Sequence, residues 1–304
     1  MKYYLISGEA SGDLHGSHLI KALKKVDSKA TFRAWGGDLM EREGAFLVKH
    51  YRKLAFMGFW EVISHLPDIL NNIAFCKKDI INYNPEVIIY IDYPGFNLRI
   101  AEWAKKKKFE NHYYISPQVW AWKENRIHKM KENLDALYVI LPFEKTFFEN
   151  KHQFSVHYVG HPLLDYIPKY PKNNTFNQDH AIVSEKPIIA LLPGSRIQEI
   201  KKMLPLFVRV AKYFSEYQFV IAGAPGISID QYNIFTDTTS MKIVYNSTYD
   251  LLQHSTAALV TSGTATLETA LFGVPQIVCY RSSSLSYWIA KRIVKLKFIS
   301  LVNL

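Results

Sequence analysis

The chain has 304 residues, 48% apolar and 21% charged, a composition that excludes a disordered protein and allows two domain cores. It contains no apolar run as long as a membrane-spanning helix, and Cys76 and Cys279 are too far apart to form a metal or redox motif, which suggests a reducing cytosol. The net charge of +10 predicts anionic partners, but without a zinc finger or RNA-binding motif we expect no nucleic acid among them.

The first predicted element is a strand over residues 2–7, which leads into the loop GEASGD and an amphipathic helix. A strand, a glycine-containing loop and a helix form the usual phosphate-binding layout of nucleotide-binding folds. This loop, however, carries Glu9 and Asp13, and negative charge disfavours a phosphate. We therefore predict that Glu9, Ser11 and Asp13 face a different substrate, whose hydroxyl must be oriented or deprotonated.

Residues 54–75 are unusually apolar, and Trp60, Ile63, Leu66 and Leu70 recur in them at helical spacing. A helix packed in the core is the commoner explanation of such a pattern. The alternative is an interfacial helix that lies on a membrane with its apolar face in the lipid. The spacing of the residues leaves both interpretations open.

The strand predicted over residues 86–92 is apolar until it ends on Asp92, just before Tyr-Pro-Gly. A carboxylate at the end of a buried strand can have a raised pKa, which suits a general base. We therefore predict Asp92 as the base that deprotonates a substrate hydroxyl. The competing explanation is an aspartate that caps the following helix.

The segment 113–130 combines aromatic and cationic side chains, among them Trp120, Lys123 and Arg126. Aromatic rings beside cations can hold the face of a sugar and a phosphate, so these three residues are candidate contacts of the second substrate. The competing explanation is that the tryptophans belong to the core and the cations to a solvated helix face.

The chain alternates short apolar strands with helical patterns, which predicts doubly wound parallel sheets. The other predicted strands are 31–35, 111–115, 136–141, 156–159, 187–192, 218–222, 242–245, 256–261 and 275–280. Between residues 161 and 187, four prolines and many polar residues interrupt this alternation and predict a linker or hinge. The predicted fold is therefore α/β, with two Rossmann-like domains that face a ligand-binding cleft.

A phosphate-binding loop is predicted after the strand 187–192, where the sequence continues Pro-Gly-Ser-Arg into a helix. Gly194 and Ser195 allow close approach to the backbone at a helix N-terminus, and the guanidinium of Arg196 offers two parallel hydrogen bonds. The competing explanation is a tight turn with a surface arginine.

A second such loop follows the strand 256–261, where Ser262, Gly263 and Thr264 offer hydroxyl and amide donors to a pyrophosphate. Glu268, in the first turns of the next helix, is placed to accept hydrogen bonds from a ribose. A glutamate that caps the helix explains Glu268 as well. Both loops follow the carboxyl ends of strands, where open α/β sheets bind their ligands.

Seven motifs in order resemble the lipid-A-disaccharide synthase family, which acts in lipopolysaccharide assembly. They are GEASGD (8–13), MGFWEV (57–62), IDYPGFN (91–97), SPQVWAW (116–122), LPFEK (141–145), LLPGSR (191–196) and SGTATLE (262–268), and the similarity extends to the final SLVNL. The resemblance implies an inverting, metal-independent, cofactor-free glycosyltransferase of the GT-B type. Such an enzyme moves 2,3-diacylglucosamine from UDP to 2,3-diacylglucosamine 1-phosphate, forming a β-1,6 disaccharide and UDP.

The resemblance also implies roles for particular residues and domains. Residues 1–165 would bind the acceptor and the membrane, and residues 166–304 the UDP-sugar. Because both substrates carry acyl chains, the resemblance favours the membrane interpretation of residues 54–75. It implies a cytoplasmic enzyme held peripherally at the inner membrane of a Gram-negative bacterium, with a homodimer as one option. The family's important positions correspond to Glu9, Asp92, Arg196, Glu268 and Asn303.

Members of this family continue for several dozen residues beyond the SLVNL segment, so we expect their C-terminal helices to be missing from these 304 residues. Two alternatives follow. A UDP-sugar 2-epimerase of the same fold would explain the carboxylates and the phosphate loops, but not the apolar segment. A truncated, non-catalytic protein of the membrane surface would explain the positive charge.

Overall fold

The computed structural model describes residues 1–54, 66–183, 185–224, 227–235, 241–281 and 302. The chain forms two compact units, Met1–Pro162 and Leu163–Leu304, and each contains one parallel sheet with helices on both faces. This confirms the predicted α/β fold with two Rossmann-like domains. No helix in the described ranges is long and apolar enough to cross a bilayer.

The first unit contains a seven-stranded sheet in the order β3-β2-β1-β4-β5-β6-β7, and every described pairing in it is parallel. Its elements are β1 Lys2–Ile6, α1 Ala10–Val26, β2 Thr31–Gly36, α2 Asp38–Arg42, β3 Phe46–His50, α3 Leu66–Tyr83, β4 Val87–Ile91, α4 Pro94–Lys106, β5 Glu110–Tyr114, α5 Arg126–Asn133, β6 Ala136–Val139, α6 Pro142–Thr146 and β7 His157–Tyr158.

The central strands β1 and β4 are apolar throughout because helices cover both of their faces. Tyr4 and Tyr90 pack on one face against α3, α4 and α5, whereas Leu5 and Ile89 pack on the other face with Ile20 of α1. Successive side chains of a strand point to opposite faces, so a strand buried on both faces is continuously apolar.

The second unit contains a five-stranded sheet in the order β10-β9-β8-β11-β12, again with parallel pairings. Its elements are α7 Leu163–Tyr166, α8 Phe176–Asp179, β8 Ile188–Leu192, α9 Ile197–Ala211, β9 Gln218–Gly223, α10 Ile229–Phe235, β10 Lys242–Tyr245, α11 Thr248–Gln253, β11 Ser255–Thr261, α12 Thr264–Leu271 and β12 Gln276–Cys279.

The two units divide between Pro162 and Leu163, at the start of the segment 161–187 that was predicted as a linker or hinge, but the rest of this segment is not a linker. It contributes α7 and α8 to the second unit, and Phe176 and Ile182 are buried in that unit's core. The segment is polar on average, but it contains a few widely spaced apolar residues. Burial of these residues is enough to pack the segment against the second unit. The prolines do exclude strands, since none is described between β7 and β8.

The order of strands reverses once in each sheet, between β1 and β4 in the first unit and between β8 and β11 in the second. At such a switch point the connections leave in opposite directions, and the carboxyl ends of the two strands border a crevice that binds ligands. The loops predicted to carry chemistry follow these four strands. The fold therefore brings them together in two pairs.

Candidate active site

The loops after β1 and β4 form a small, shallow pocket at the switch point of the first sheet. Glu9 and Asp92, which were predicted from separate motifs, both line it. Glu9 immediately precedes α1, whose N-terminal dipole favours a negative charge. The other lining residues are Gly8, Ser11, Gly12, Ile91 and Tyr93.

Asp92 is exposed, so the expectation that burial would act on its carboxyl group was wrong. The residue stands just beyond the last hydrogen-bonded position of β4, where the chain turns away from the sheet. It does not occupy the N-cap position of α4 either, because that position belongs to Tyr93. The carboxylate is therefore accessible to a substrate in the pocket.

The backbone at this turn is held by buried donors. Asp92 and Tyr93 have φ angles of 44° and 51°, in the left-handed region that non-glycine residues rarely adopt. The side-chain amide of Asn97 donates to the Asp92 carbonyl at 2.6 Å, and the Tyr113 hydroxyl donates to the same oxygen at 2.5 Å. Asn97 also donates to the Ile6 carbonyl at 3.2 Å, which ties the ends of β1 and β4 together.

Gly8 is required where the β1 loop meets this turn. A Cβ atom at Gly8 would lie 2.5 Å from the ring of Tyr93, which is shorter than a van der Waals contact allows. Burial raises the pKa of Tyr93, and the negative charge of Glu9 adds to that rise. Glu9 and Tyr93 line the same pocket, so Glu9 lies close to the turn that carries Asp92.

Asp13 has a structural role in this loop. Its carboxylate is buried and accepts hydrogen bonds from the backbone amides of Gly37, Leu39 and Met40 at 2.8 to 3.1 Å. These amides lie at the start of α2, which the side chain caps. We therefore do not retain Asp13 among the contacts of a substrate.

Trp120 is fixed by a buried carboxylate that the sequence analysis did not single out. Glu144, at the start of α6, accepts the indole N–H of Trp120 at 3.1 Å and the backbone amides of Ile140 and Leu141 at 3.1 and 2.9 Å. Burial raises the pKa of Glu144, and these three donors oppose the rise. The LPFEK motif thus holds the SPQVWAW loop to the end of β6.

Lys123 and Arg126 both lie on the ring of Trp122. The Lys123 Nζ is 4.4 Å and the Arg126 guanidinium carbon 5.5 Å from the centre of that ring. Burial lowers the pKa of Lys123, and the neighbouring charge of Arg126 lowers it further. Two cations held together on one indole form a site that favours an anion.

The predicted phosphate loop of the second unit holds a carboxylate of its own. Gly194 has a φ angle of 119°, and Glu199 of α9 lies against it. The Glu199 carboxylate accepts the backbone amide of Ser195 at 3.1 Å and the guanidinium of Arg196 at 2.9 Å. Two of the donors predicted to bind a phosphate, the Ser195 amide and the Arg196 guanidinium, thus converge on the carboxylate of Glu199, and phosphate binding stays a prediction.

Glu268 accepts a hydrogen bond from the Tyr249 hydroxyl at 2.7 Å. Burial raises the pKa of Glu268, and the bond from Tyr249 opposes that rise. Ser262, Gly263 and Thr264 precede it at the end of β11, on the switch point of the second sheet. Glu268 therefore lies on the same helix that this loop begins.

Several predicted residues lie outside the described part of the chain. These are Trp60, Ile63 and Asn303, and nothing is described of the Leu66 side chain. Leu70 is described on α3 and is 54% exposed. Among the described residues, no group of three His, Cys, Asp or Glu side chains is arranged to hold a metal ion.

Four residues of the candidate site were not predicted from the sequence. Each makes a hydrogen bond whose partner the sequence does not reveal. Asn97 and Glu144 stand inside motifs that the sequence analysis quoted, so their identity was visible while their partners were not. The other two, Tyr113 and Tyr249, have no local signal, since their hydroxyls reach residues 21 and 19 positions away.

The lipid-A-disaccharide synthetase family model matches residues 3–304. A lipid-A-disaccharide synthase of Coxiella burnetii is 36% identical over 304 residues, which cover 99% of this chain and 80% of the relative. Lipid-A-disaccharide synthase 1 of Legionella pneumophila is also 36% identical, with the same shares of the two chains covered.

Solved structures share the fold at low identity. The UDP-GlcNAc 2-epimerase of Neisseria meningitidis bound to UDP-GlcNAc superposes with a TM-score of 0.67 at 14% identity, covering all of this chain and 89% of the epimerase. The glycotransferase of kitacinnamycin superposes with a TM-score of 0.58 at 12% identity, covering 93% of this chain and 81% of that one. These likenesses show the fold, and the sequence matches show the family. The chain belongs to the lipid-A-disaccharide synthetase family of glycosyltransferases.

Proposed function

We propose that this chain transfers 2,3-diacylglucosamine from UDP to 2,3-diacylglucosamine 1-phosphate, giving the β-1,6 disaccharide and UDP. The observation that carries the proposal is the contrast between the two switch points. One holds the two carboxylates Glu9 and Asp92 on a pocket, and the other holds amide, hydroxyl and guanidinium donors. A transfer from a nucleotide to a hydroxyl needs both environments, and family membership supports lipid A precursors as the substrates.

Asp92 is the general base in this proposal. Its carboxylate accepts the proton of the acceptor's 6-hydroxyl while that oxygen bonds to the anomeric carbon of the donor. The bond from the anomeric carbon to the diphosphate breaks on the opposite face, so UDP leaves and the configuration inverts. Glu9 orients the hydroxyl from the other side of the pocket, and it is the second candidate for the base.

The acceptor is bound by the first unit. Ser11 offers a hydroxyl at the pocket, and the half-buried Trp120 offers a ring that Glu144 holds in place. Lys123 and Arg126 bind the 1-phosphate, because the exposed Lys123 and the half-buried Arg126 lie together on one indole and attract a dianion.

The donor is bound by the second unit. Arg196 and the amides of Gly194 and Ser195 contact the diphosphate from one loop, and Ser262, Gly263 and Thr264 contact it from the other. Glu268 accepts hydrogen bonds from the ribose. Asn303 completes this set by resemblance to the family.

The acyl chains place the enzyme at a membrane surface. We assign acceptor and membrane binding to residues 1–165 and donor binding to residues 166–304. On α3, Leu70 and Ile81 are 54% and 53% exposed and lie on the same side of the helix, so they are candidate membrane contacts in addition to the predicted Trp60, Ile63 and Leu66. The proposed location is the cytoplasmic leaflet of the inner membrane, where the chain acts alone or as a homodimer.

The test is UDP release by the full chain in mixed micelles of the two acylated substrates. A transferase releases UDP only when the acceptor is present, whereas an epimerase changes the UDP-sugar without it. Asp92→Asn should lower turnover by roughly 10²–10⁴, the usual contribution of a general base, without changing the melting temperature. Full turnover in Asp92→Asn with loss in Glu9→Gln would move the base to Glu9. Absence of any acceptor-dependent UDP release would refute the proposed function.

A further inference from the structure

The turn that carries Asp92 has an unusual backbone and an unusual support. Two consecutive non-glycine residues, Asp92 and Tyr93, are left-handed, a conformation that persists only when the surroundings enforce it. Strain of this kind concentrates at functional sites, because it can fix a side chain in a direction that a relaxed strand end would not give.

The enforcement comes from two side chains that are themselves fully buried. Asn97 and Tyr113 have no exposed surface, and both donate to the one carbonyl oxygen of Asp92. Burial raises the pKa of Tyr113 well above its ordinary value, so the hydroxyl keeps the proton it donates. We name these two donors and the oxygen they share the carbonyl clamp.

The same amide of Asn97 also donates to the Ile6 carbonyl at the end of β1. Ile6 is separated from Glu9 only by Ser7 and Gly8, and Gly8 lies against the ring of Tyr93. The clamp therefore connects the backbones of both carboxylates that line the pocket.

We infer that Asn97 and Tyr113 are positioning residues, which set the direction of the Asp92 carboxylate toward the acceptor hydroxyl. This inference rests on the proposed role of Asp92 as the base. Neither residue reaches the substrate in this scheme, because both are buried beneath the turn. A purely structural role, in which the two donors only satisfy the end of the sheet, is the alternative that the experiment must separate.

Tyr113→Phe removes one donor of the clamp, and the chain offers a matched control for it. Tyr90 pairs with Tyr113 across β4 and β5, is equally buried, and donates its hydroxyl to Asn111 at 2.9 Å. Tyr90→Phe therefore deletes the same atom from the same layer without touching Asp92. Tyr113→Phe is preferred to Asn97→Ala, because the latter removes hydrogen bonds to three carbonyls, those of Ile6, Ile91 and Asp92, and can unfold the unit.

Both phenylalanine variants should lower the melting temperature of the full chain by similar amounts. Only Tyr113→Phe should lower kcat, by at least tenfold with KM unchanged, while Tyr90→Phe should stay within twofold of the wild type. In the Asp92→Asn background, Tyr113→Phe should lower kcat no further, since the group it positions has already been replaced.

Equal kcat values in Tyr113→Phe and Tyr90→Phe would overturn the clamp while leaving the proposed function intact. A further loss of kcat in the double variant would also overturn it, because the two residues would then act independently. Full turnover in Asp92→Asn would overturn the base assignment, and the inference with it. The two failures are therefore seen in different variants.

Discussion

Glu199→Gln removes the negative charge that now lies against the donors of the Gly194–Arg196 loop. The Glu199 carboxylate accepts from the Ser195 amide and the Arg196 guanidinium, which are the groups proposed to bind the diphosphate of UDP. A diphosphate that binds there must displace this carboxylate or bear its repulsion. Glutamine keeps the length of the side chain and one acceptor oxygen, so the loop retains its amide hydrogen bond while the opposing charge is lost.

The size of the effect follows from the exposure of the ion pair. Arg196 is 36% exposed and Glu199 31%, and ion pairs that are open to solvent contribute about 0.2–1 kcal/mol. Since about 1.4 kcal/mol corresponds to a factor of ten in affinity, the variant should bind UDP about 1.4- to 5-fold more tightly. The gain should shrink at high salt, which screens exposed charges.

Isothermal titration of the full chain with UDP, and separately with inorganic pyrophosphate, measures this change. Glu216→Gln is the matched control, because Glu216 is exposed in the same unit and its replacement changes the net charge equally. Weaker UDP binding in Glu199→Gln than in the control would refute the reasoning. Glu199 would then orient Arg196 for the nucleotide rather than compete with it.

Two further predictions concern the stability and the surface of the first unit. Burial lowers the pKa of His15 from 6.5 to about 4, with smaller effects from the charges of His161 and His18. The unfolded chain binds a proton at His15 in this range that the folded chain does not, so the contribution of His15 lowers the free energy of unfolding as the pH falls from 6.5, by up to about 3 kcal/mol near pH 4. Urea titrations of His15→Gln should show a shallower fall, and a slope equal to that of the wild type would contradict the assignment. Replacing Leu70 and Ile81 by serine should weaken cosedimentation with anionic phosphatidylglycerol vesicles, because it removes exposed apolar surface from α3, whereas Val26→Ser, on α1, should not. Unchanged cosedimentation of the double variant would exclude this face as a membrane contact.

Much of the fold could be predicted because strands that helices cover on both faces have continuously apolar sequences. Strand β3 was not predicted because it lacks such a sequence. Phe46–His50 is a partly exposed edge strand that ends in Lys49 and His50. The packing of α1 needed the structure. Ile20 is buried and Leu19 and Leu23 pack against the same core, and Gly12 and Gly16 are buried too, where the lack of a side chain allows close approach.

The positions of the candidate site followed from the sequence, but the contacts did not. A polar residue after a predicted strand indicates where a site lies, and Glu9 and Asp92 do line one pocket. Asp92 is exposed, whereas the Asp13 carboxylate caps a helix N-terminus. The difference depends on which backbone amides the fold brings to each carboxylate. Such partners come from other elements, so spacing along the chain cannot reveal them.

The strand order that creates the two switch points also governs how the chain can fold. Tyr3 of β1 pairs with Val87 of β4, and Ile188 of β8 pairs with Ser255 of β11, so each central strand must wait for a partner far along the chain. Closing such a long loop costs entropy before the contacts between the strands form, which slows folding. Until the partner strand has been synthesised, the edges of the earlier strands remain exposed on the ribosome. Each sheet should therefore assemble late and as a whole, so a substitution that slows the meeting of β1 with β4 would lower the yield of folded protein without altering the activity of the molecules that succeed.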